Sequence, residues 1–158
     1  GGAVLLSPAC VCVAFRFRRT KGRTLHDFFA AGTGYIREVL REHYGLELVE
    51  RGISDLAHAG PRGLRKVMGC SLYMPRDFAL YLASLLVSPD FGEIARYLAH
   101  PSREPDYRAG RGHEDFLVGL NALVGHPLGT TEVSERLGRG LDEAMHSQLD
   151  WTDSPLSP

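Results

Sequence analysis

Five consecutive residues, Arg65-Lys66-Val67-Met68-Gly69, sit ahead of a second apolar run at 78–87 and offer this chain's first chemistry. An ammonium inside an otherwise apolar strand needs a counter-charge or a bound anion. Facing inward, Lys66 is of a type to hold a phosphate or a polarised carbonyl. Facing outward beside Arg65, it is an ordinary surface cation, and the alternation around it does not settle the face. Gly1-Gly2-Ala3-Val4 opens the chain. Glycines ahead of a strand let the backbone approach a ligand and turn N–H groups toward phosphate, or they simply make a tight turn. Asp55 can hold a metal or a substrate group, although a carboxylate accepting turn N–H groups is commoner. Cys70, next to Gly69, is either an activated, acyl-accepting thiol near Lys66 or a small buried filler. Cys10 and Cys12 lack companions at metal-ligand spacing and read as packing. The seven histidines are scattered. No Ser/His/Asp set, paired-carboxylate motif or full Walker loop stands out.

These residues need a frame. A short apolar run at 3–6 precedes Ser7-Pro8, and Val11, Val13, Phe15 and Phe17 then alternate with small or basic residues. Period two predicts a strand, and the two runs together predict a hairpin. After a basic loop at 19–23, Leu25, Phe28, Phe29, Ile36, Val39 and Leu40 recur at helical spacing. Gly32 and Gly34 cost about 1 kcal/mol each in a helix and mark an expected break; Gly45 is a C-cap. Short strands are expected at 46–49 and 53–56, a Gly/Pro loop at 57–63, and a hairpin from 64–73 and 78–87. Asp90 with Glu93 opens a helix whose stripe is Phe91, Ile94, Ala95 and Leu98. Residues 99–112 form an irregular connection, 113–124 a helix, and Thr131 caps a last helix carrying Val133, Leu137, Leu141 and Met145. The order lacks a βαβ rhythm and predicts an α+β fold with a mixed, mainly antiparallel sheet and flanking helices. Residues 1–149 form one domain and 150–158 a loose Ser/Pro tail.

The 158 residues are 44% apolar and 23% charged, with a net charge of -1. This composition suits a globular domain and gives no whole-molecule field toward nucleic acid or an anionic membrane. Apolar runs fall short of the roughly 20 residues that span a bilayer. Three cysteines without framework spacing suit a reducing, cytoplasmic setting. The start at Gly-Gly without Met reads as a fragment whose N-terminus lies upstream, with a cleavage scar as the alternative.

In order along the chain, several segments resemble the lipoate–protein ligases. Gly1-Gly2-Ala3-Val4-Leu5 is similar to the end of that family's Arg-Arg-x-x-Gly-Gly-Gly-Ala-Val motif. Gly52-Ile53-Ser54-Asp55-Leu56 resembles its Gly-x-Asn-Asp-Leu segment, and Arg65-Lys66-Val67-Met68-Gly69 its Arg-Lys-(Val/Ile)-Ser-Gly strand, whose Lys is catalytic. Ser84-Leu85-Leu86-Val87 resembles a later strand. Pro105-Asp106-Tyr107-Arg108 with Arg111-Gly112-His113 resembles a signature of one branch. The resemblance covers roughly residues 1–122.

It implies a biotin/lipoate ligase catalytic domain, incomplete at its N-terminus. It implies ATP, with Mg²⁺, converting lipoate or octanoate to an acyl-adenylate. The acyl group then passes to a lysine of a lipoyl carrier domain of a 2-oxoacid dehydrogenase or of the glycine-cleavage carrier protein. Lys66 is the implied catalytic residue. Gly1, Gly2, Ala3, Val4, Leu5, Ser54, Asp55 and Gly69 are the implied substrate and ATP contacts. Ser54, Met68, Leu82 and Ala83 depart from the family pattern. Two other readings stand beside the ligase: an octanoyl transferase of the same fold acting through a Cys70 thioester, and a non-catalytic paralogue. A biotin ligase fits less well, because no Gly-Arg-Gly-rich motif is present.

Overall fold

The computed structural model describes residues 3–147, with the backbone alone at 145–147. The expected tail at 150–158 and the inward face of Met145 lie outside the described residues.

Five antiparallel strands make one sheet: β1 (Cys10–Arg18), β2 (Leu48–Arg51), β3 (Asp55–Gly60), β4 (Gly63–Tyr73) and β5 (Phe78–Leu86), in the order β1-β5-β4-β3-β2. Val11, Val13 and Phe17 alternate inward along β1, and Ala79, Tyr81, Ala83 and Leu85 along β5. The β5 row faces α1 (Leu25–Tyr44), and in the β1 row Phe17 meets Phe28 of that helix. That helix starts on a capping box in which Thr24 and Asp27 satisfy each other's backbone N–H groups. It stops at Gly45, whose φ of 65° suits glycine best. Phe28, Ile36, Val39 and Leu40 are buried on it, each worth about 1.5–3 kcal/mol. A last helix, α5 (Thr130–Ser147), adds Val133, Leu137 and Leu141 to the same core.

The opposite sheet face is covered at one end only. There α2 (Phe91–Tyr97), a 3₁₀ turn (Asp106–Arg108) and α3 (His113–Phe116) lie near β4, and α4 (Leu120–Val124) follows. Leu82 and Tyr73 stay exposed on the uncovered part.

The α+β class and the order of elements match expectation. Six local expectations fail for identifiable reasons. Residues 3–6 form no strand; Cys10 N–H closes a turn on the Ser7 carbonyl, and β5 is β1's partner. The helix α1 does not break at its glycines. Gly32 instead admits the Tyr81 ring, since a Cβ there would lie 2.4 Å from Tyr81 Cδ2. Residues 57–60 belong to β3, because their ladder with β4 runs to Gly60↔Gly63 and leaves only Pro61 and Arg62 to turn. Of the α2 stripe, only Ile94 is fully buried. The span 113–124 splits in two. The β4–β5 ladder ends at Met68, so the Lys66 carbonyl beyond it takes Val118 N–H at 2.9 Å, and Leu117 bridges Lys66. Thr131 lies inside α5, whose first-turn bond runs from Val133 N–H to the Gly129 carbonyl.

Gly32→Ala drives a methyl into Tyr81 and should cost about 1–3 kcal/mol. Guanidinium unfolding measures it; an unchanged midpoint would mean that the helix–sheet gap is not set by this contact.

Candidate active site

Lys66 is brought to its place by a defect in the sheet. Leu56 pairs with Met68 and Ala57 with Lys66, so Val67 is an extra residue, a β-bulge. Strict alternation would put Lys66 on the face of Met68, toward α1. The bulge cancels the alternation and turns Lys66 onto the face of Gly69. This resolves the face that the sequence pattern leaves open.

On that face the lysine lies across Gly69. A Cβ built on Gly69 would fall 2.7 Å from Lys66 Nζ and 2.8 Å from its Cε. Asp55 pairs directly with Gly69 across the ladder, and its Oδ1 is 2.7 Å from Lys66 Nζ. The Asp55 side chain is 9% exposed and that of Lys66 27%. A carboxylate so withdrawn from water requires its partners. The second partner is Tyr107, whose hydroxyl donates to Asp55 Oδ2 at 2.9 Å. Burial first, then the Asp55 charge, push the Tyr107 phenol far above its ordinary value, so it stays protonated and donates.

The segment carrying Tyr107 is stapled to the sheet by Arg111. Its Nη2 donates to the carbonyls of Tyr107 and Leu64, at 2.6 and 2.9 Å, and its Nε to that of Arg108 at 2.9 Å. The guanidinium of Arg108, nearly buried, sits 4.8 Å from the Phe116 ring centroid, and the Tyr107 ring lies 5.1 Å from it. His113 Nε2 is 3.1 Å from the Leu98 carbonyl and ties α3 to the end of α2.

Between this wall and the sheet lies a cleft of about 1040 Å³, with Ala3, Ser54, Asp55, Lys66, Tyr107 and Arg108 among its linings. A smaller pocket of about 140 Å³ adjoins it, reached by Val4, Leu5, Lys66, Gly69, Ser84 and Leu86. Lys66, Asp55 and Gly69 are therefore brought together. Ala3, Val4, Leu5 and Ser54 stand around them. Gly1 and Gly2 lie outside the described residues.

Cys70 is not brought into the cleft. Its thiol lies toward the Ser54 carbonyl at 3.1 Å and Thr33 Oγ1 at 3.8 Å, with Thr33 on α1. Burial pushes this thiol above its ordinary value, outweighing its hydrogen bonds to Tyr81 and Thr33. Among the described residues, no three His, Cys, Asp or Glu side chains gather as a metal site. No described helix is long and apolar enough to cross a membrane.

Tyr107, Arg108 and Arg111 were given no chemistry by the sequence pattern. Their signal was an aromatic and two arginines, densely spaced in a connection that otherwise reads as irregular.

A five-stranded antiparallel sheet thus carries a lysine–aspartate pair beside a cleft. The family model for the lipoyl protein ligase A/B catalytic domain matches residues 1–142, and the chain belongs to that family. The two-part lipoate protein ligase of Thermoplasma acidophilum, solved with its E2 lipoyl domain, superposes with a TM-score of 0.74 at 20% identity. That match covers 92% of this chain and 55% of the other. Lipoate-protein ligase A bound with ATP gives 0.65 at 20% identity, covering 87% and 53%. The biotin protein ligase of Aquifex aeolicus gives 0.61 at 13%, covering 88% and 54%. The chain thus spans about half the length of these structures. No curated protein sequence matches it.

Gly69→Ala should displace the movable end of Lys66 from Asp55 and, by leaving a nearly buried carboxylate short of its counter-charge, cost about 1–3 kcal/mol. A crystal structure of the variant with the ion pair intact would refute this. The Cys70 thiolate forms only as pH climbs past the usual thiol range, so its alkylation by iodoacetamide at pH 7 should trail that of exposed Cys12 and rise toward pH 10. Peptide mass spectrometry reads both sites; Cys70 reacting ahead at pH 7 would contradict the geometry.

Proposed function

We propose that this chain supplies the catalytic lysine of an ATP-dependent lipoate–protein ligase. The observation that carries the reading is the Lys66 ammonium, held by Asp55 over Gly69 beside a cleft large enough for a nucleotide. A lysine so placed has an exchangeable partner. An incoming acid or phosphate replaces part of Asp55's attraction, and the ammonium needs no reorganisation from bulk water.

In the first step the carboxylate of lipoate or octanoate attacks the α-phosphorus of ATP, and pyrophosphate leaves. Lys66 neutralises the two anionic groups as they approach and the charge that builds on the α-phosphate. In the second step the amine of a carrier-domain lysine attacks the acyl carbonyl, and AMP leaves with the bonding electrons. Lys66 then stabilises the departing phosphate. Backbone N–H groups at residues 2–3 would hold that phosphate, and Val4, Leu5 and Leu86 beside the smaller pocket would contact the acyl chain.

The donor set fits a metal only in the manner of Mg²⁺ arriving on phosphates, which takes one or two protein carboxylates. Both Asp55 oxygens are engaged, by Lys66 and Tyr107, so Asp106 on the cleft wall is the carboxylate that would hold it. Mg²⁺ would supply charge neutralisation on the phosphates there.

Support for a lipoyl carrier domain as acceptor comes from the neighbour solved with its E2 lipoyl domain, and for ATP from the neighbour that binds it. The Cys70 thioester route has weaker support, since that thiol faces α1 and is discouraged from ionising.

The test is acid-dependent exchange of pyrophosphate into ATP, with lipoate, octanoate or biotin. It is run on this chain and on the same chain with whatever sequence flanks it in its gene. Lipoate-dependent exchange should vanish in Lys66→Ala. In Lys66→Arg the charge persists but not the compact ammonium, and exchange should fall by about ten- to a hundredfold. Exchange surviving Lys66→Ala, or absent with every acid, would reject the ligase.

A further inference from the structure

The ion pair does not hold itself in position. Asp55 has two oxygens and each has one job: Oδ1 meets Lys66 Nζ at 2.7 Å and Oδ2 accepts Tyr107 Oη–H at 2.9 Å. A carboxylate with a single partner can rotate about its Cβ–Cγ bond, where torsions are broad. The phenol removes that freedom and fixes where Oδ1, and so the ammonium, lies.

Tyr107 is also unusually well supported for a loop residue. Pro105 precedes its turn with φ at -69°, Arg111 takes its carbonyl, and its ring rests on Phe116. Its position is thereby set independently of Asp55. The chain of contacts runs one way, from sheet and loop through the phenol to the carboxylate and then to the lysine.

We propose that Tyr107 is the positioning residue of this site: through Asp55 it sets the direction of the Lys66 ammonium and governs how readily that ammonium passes to an incoming anion. The inference rests on the ligase reading for its catalytic consequence, but not for its structural one. The Tyr107 hydroxyl is bonded to Asp55, not to Lys66, and acts through that carboxylate. Removing its hydroxyl leaves the ring on Phe116 and takes away only the donor.

The sequence makes a direct test simple, because Lys21 and Lys66 are its only lysines. With ¹³C-lysine incorporated into the full chain, two Cε–H signals appear, and exposed Lys21 is the internal reference. In Tyr107→Phe the Lys66 signal should move toward that of Lys21, which stays put. Asp55→Asn should move Lys66 the same way, and the double variant should move it no further than Asp55→Asn alone. In the exchange assay Tyr107→Phe should lower kcat by about ten- to a hundredfold with KM for ATP held within about twofold. An unmoved Lys66 signal in folded Tyr107→Phe overturns the proposal. So does a loss of kcat that merely tracks a lowered melting temperature and a raised KM. A wild-type protein without exchange would sink the ligase reading instead, and the lysine signals would still decide the positioning claim.

Discussion

An ammonium fixed beside the carboxylate of a nearly buried aspartate is the constraint on which this structure turns. The carboxylate is not tolerated alone at such a depth, and the pair is stable only with good geometry and the remaining oxygen satisfied. Three features around it make sense as consequences. The bulge at Val67 exists because a regular β4 would aim Lys66 at the helices. Gly69 is bare because the lysine's end occupies the volume of a side chain. The Arg111-stapled loop covers the sheet here because Asp55 Oδ2 would otherwise lose its donor.

The sheet separates stability from chemistry. One face is given to packing: Phe28, Ile36, Leu40, Tyr81 and Leu85 are fully buried between α1 and the strands. The other carries Lys66, Gly69 and Ser84 toward the cleft. β4 is the middle strand of five: Gly69 is laddered on both sides, and Lys66 is held by β3 on one side and by the Val118 N–H on the other, a better base for a charge than a loop. The same separation decides the fate of Cys70. It is only four residues from Lys66, but on the helix-facing side, where its surroundings disfavour the thiolate.

Much of this was legible in the sequence where one rule acted alone. Period two gave β1, the runs at 64–73 and 78–87 gave the β4–β5 hairpin, the helical stripe gave α1, and Asp90 and Gly45 marked a helix start and a helix end. Lys66, Asp55 and Gly69 were each readable as candidates. Their meeting was not, because a bulge is one extra residue with no composition of its own, and the alternation around Lys66 fits either face. The glycines of α1 misled for a related reason. Propensity prices Gly32 as a helix breaker, whereas the Tyr81 ring, far off in sequence, requires it. The split of 113–124 was equally invisible, since its cause is a carbonyl on β4 left without a partner where β5 ends. Tyr107 stood within a segment that resembles a family signature, but its role was hidden because a hydroxyl in an irregular loop carries no period.

The positions that depart from the family pattern fall where they leave the ion pair intact. Ser54 contributes its main-chain carbonyl to Cys70, a role open to any residue. Met68 is fully buried opposite Leu85, on the sheet face that packs against α1; it is absent from the larger cleft's lining but borders the smaller pocket. Leu82 is 41% exposed on the uncovered part of the sheet, paired with Ala14 and Ser71 and two residues along β5 from Ser84. None of the three contacts Lys66, Asp55 or Tyr107 through a hydrogen bond or ion pair. A bulge, a bare glycine and a lysine–aspartate–tyrosine chain with its carboxylate nearly buried stand here in register. Replacing that chain with apolar residues would be neutral or stabilising. The pair therefore sets a charge beside the cleft that the packing of the sheet does not itself require.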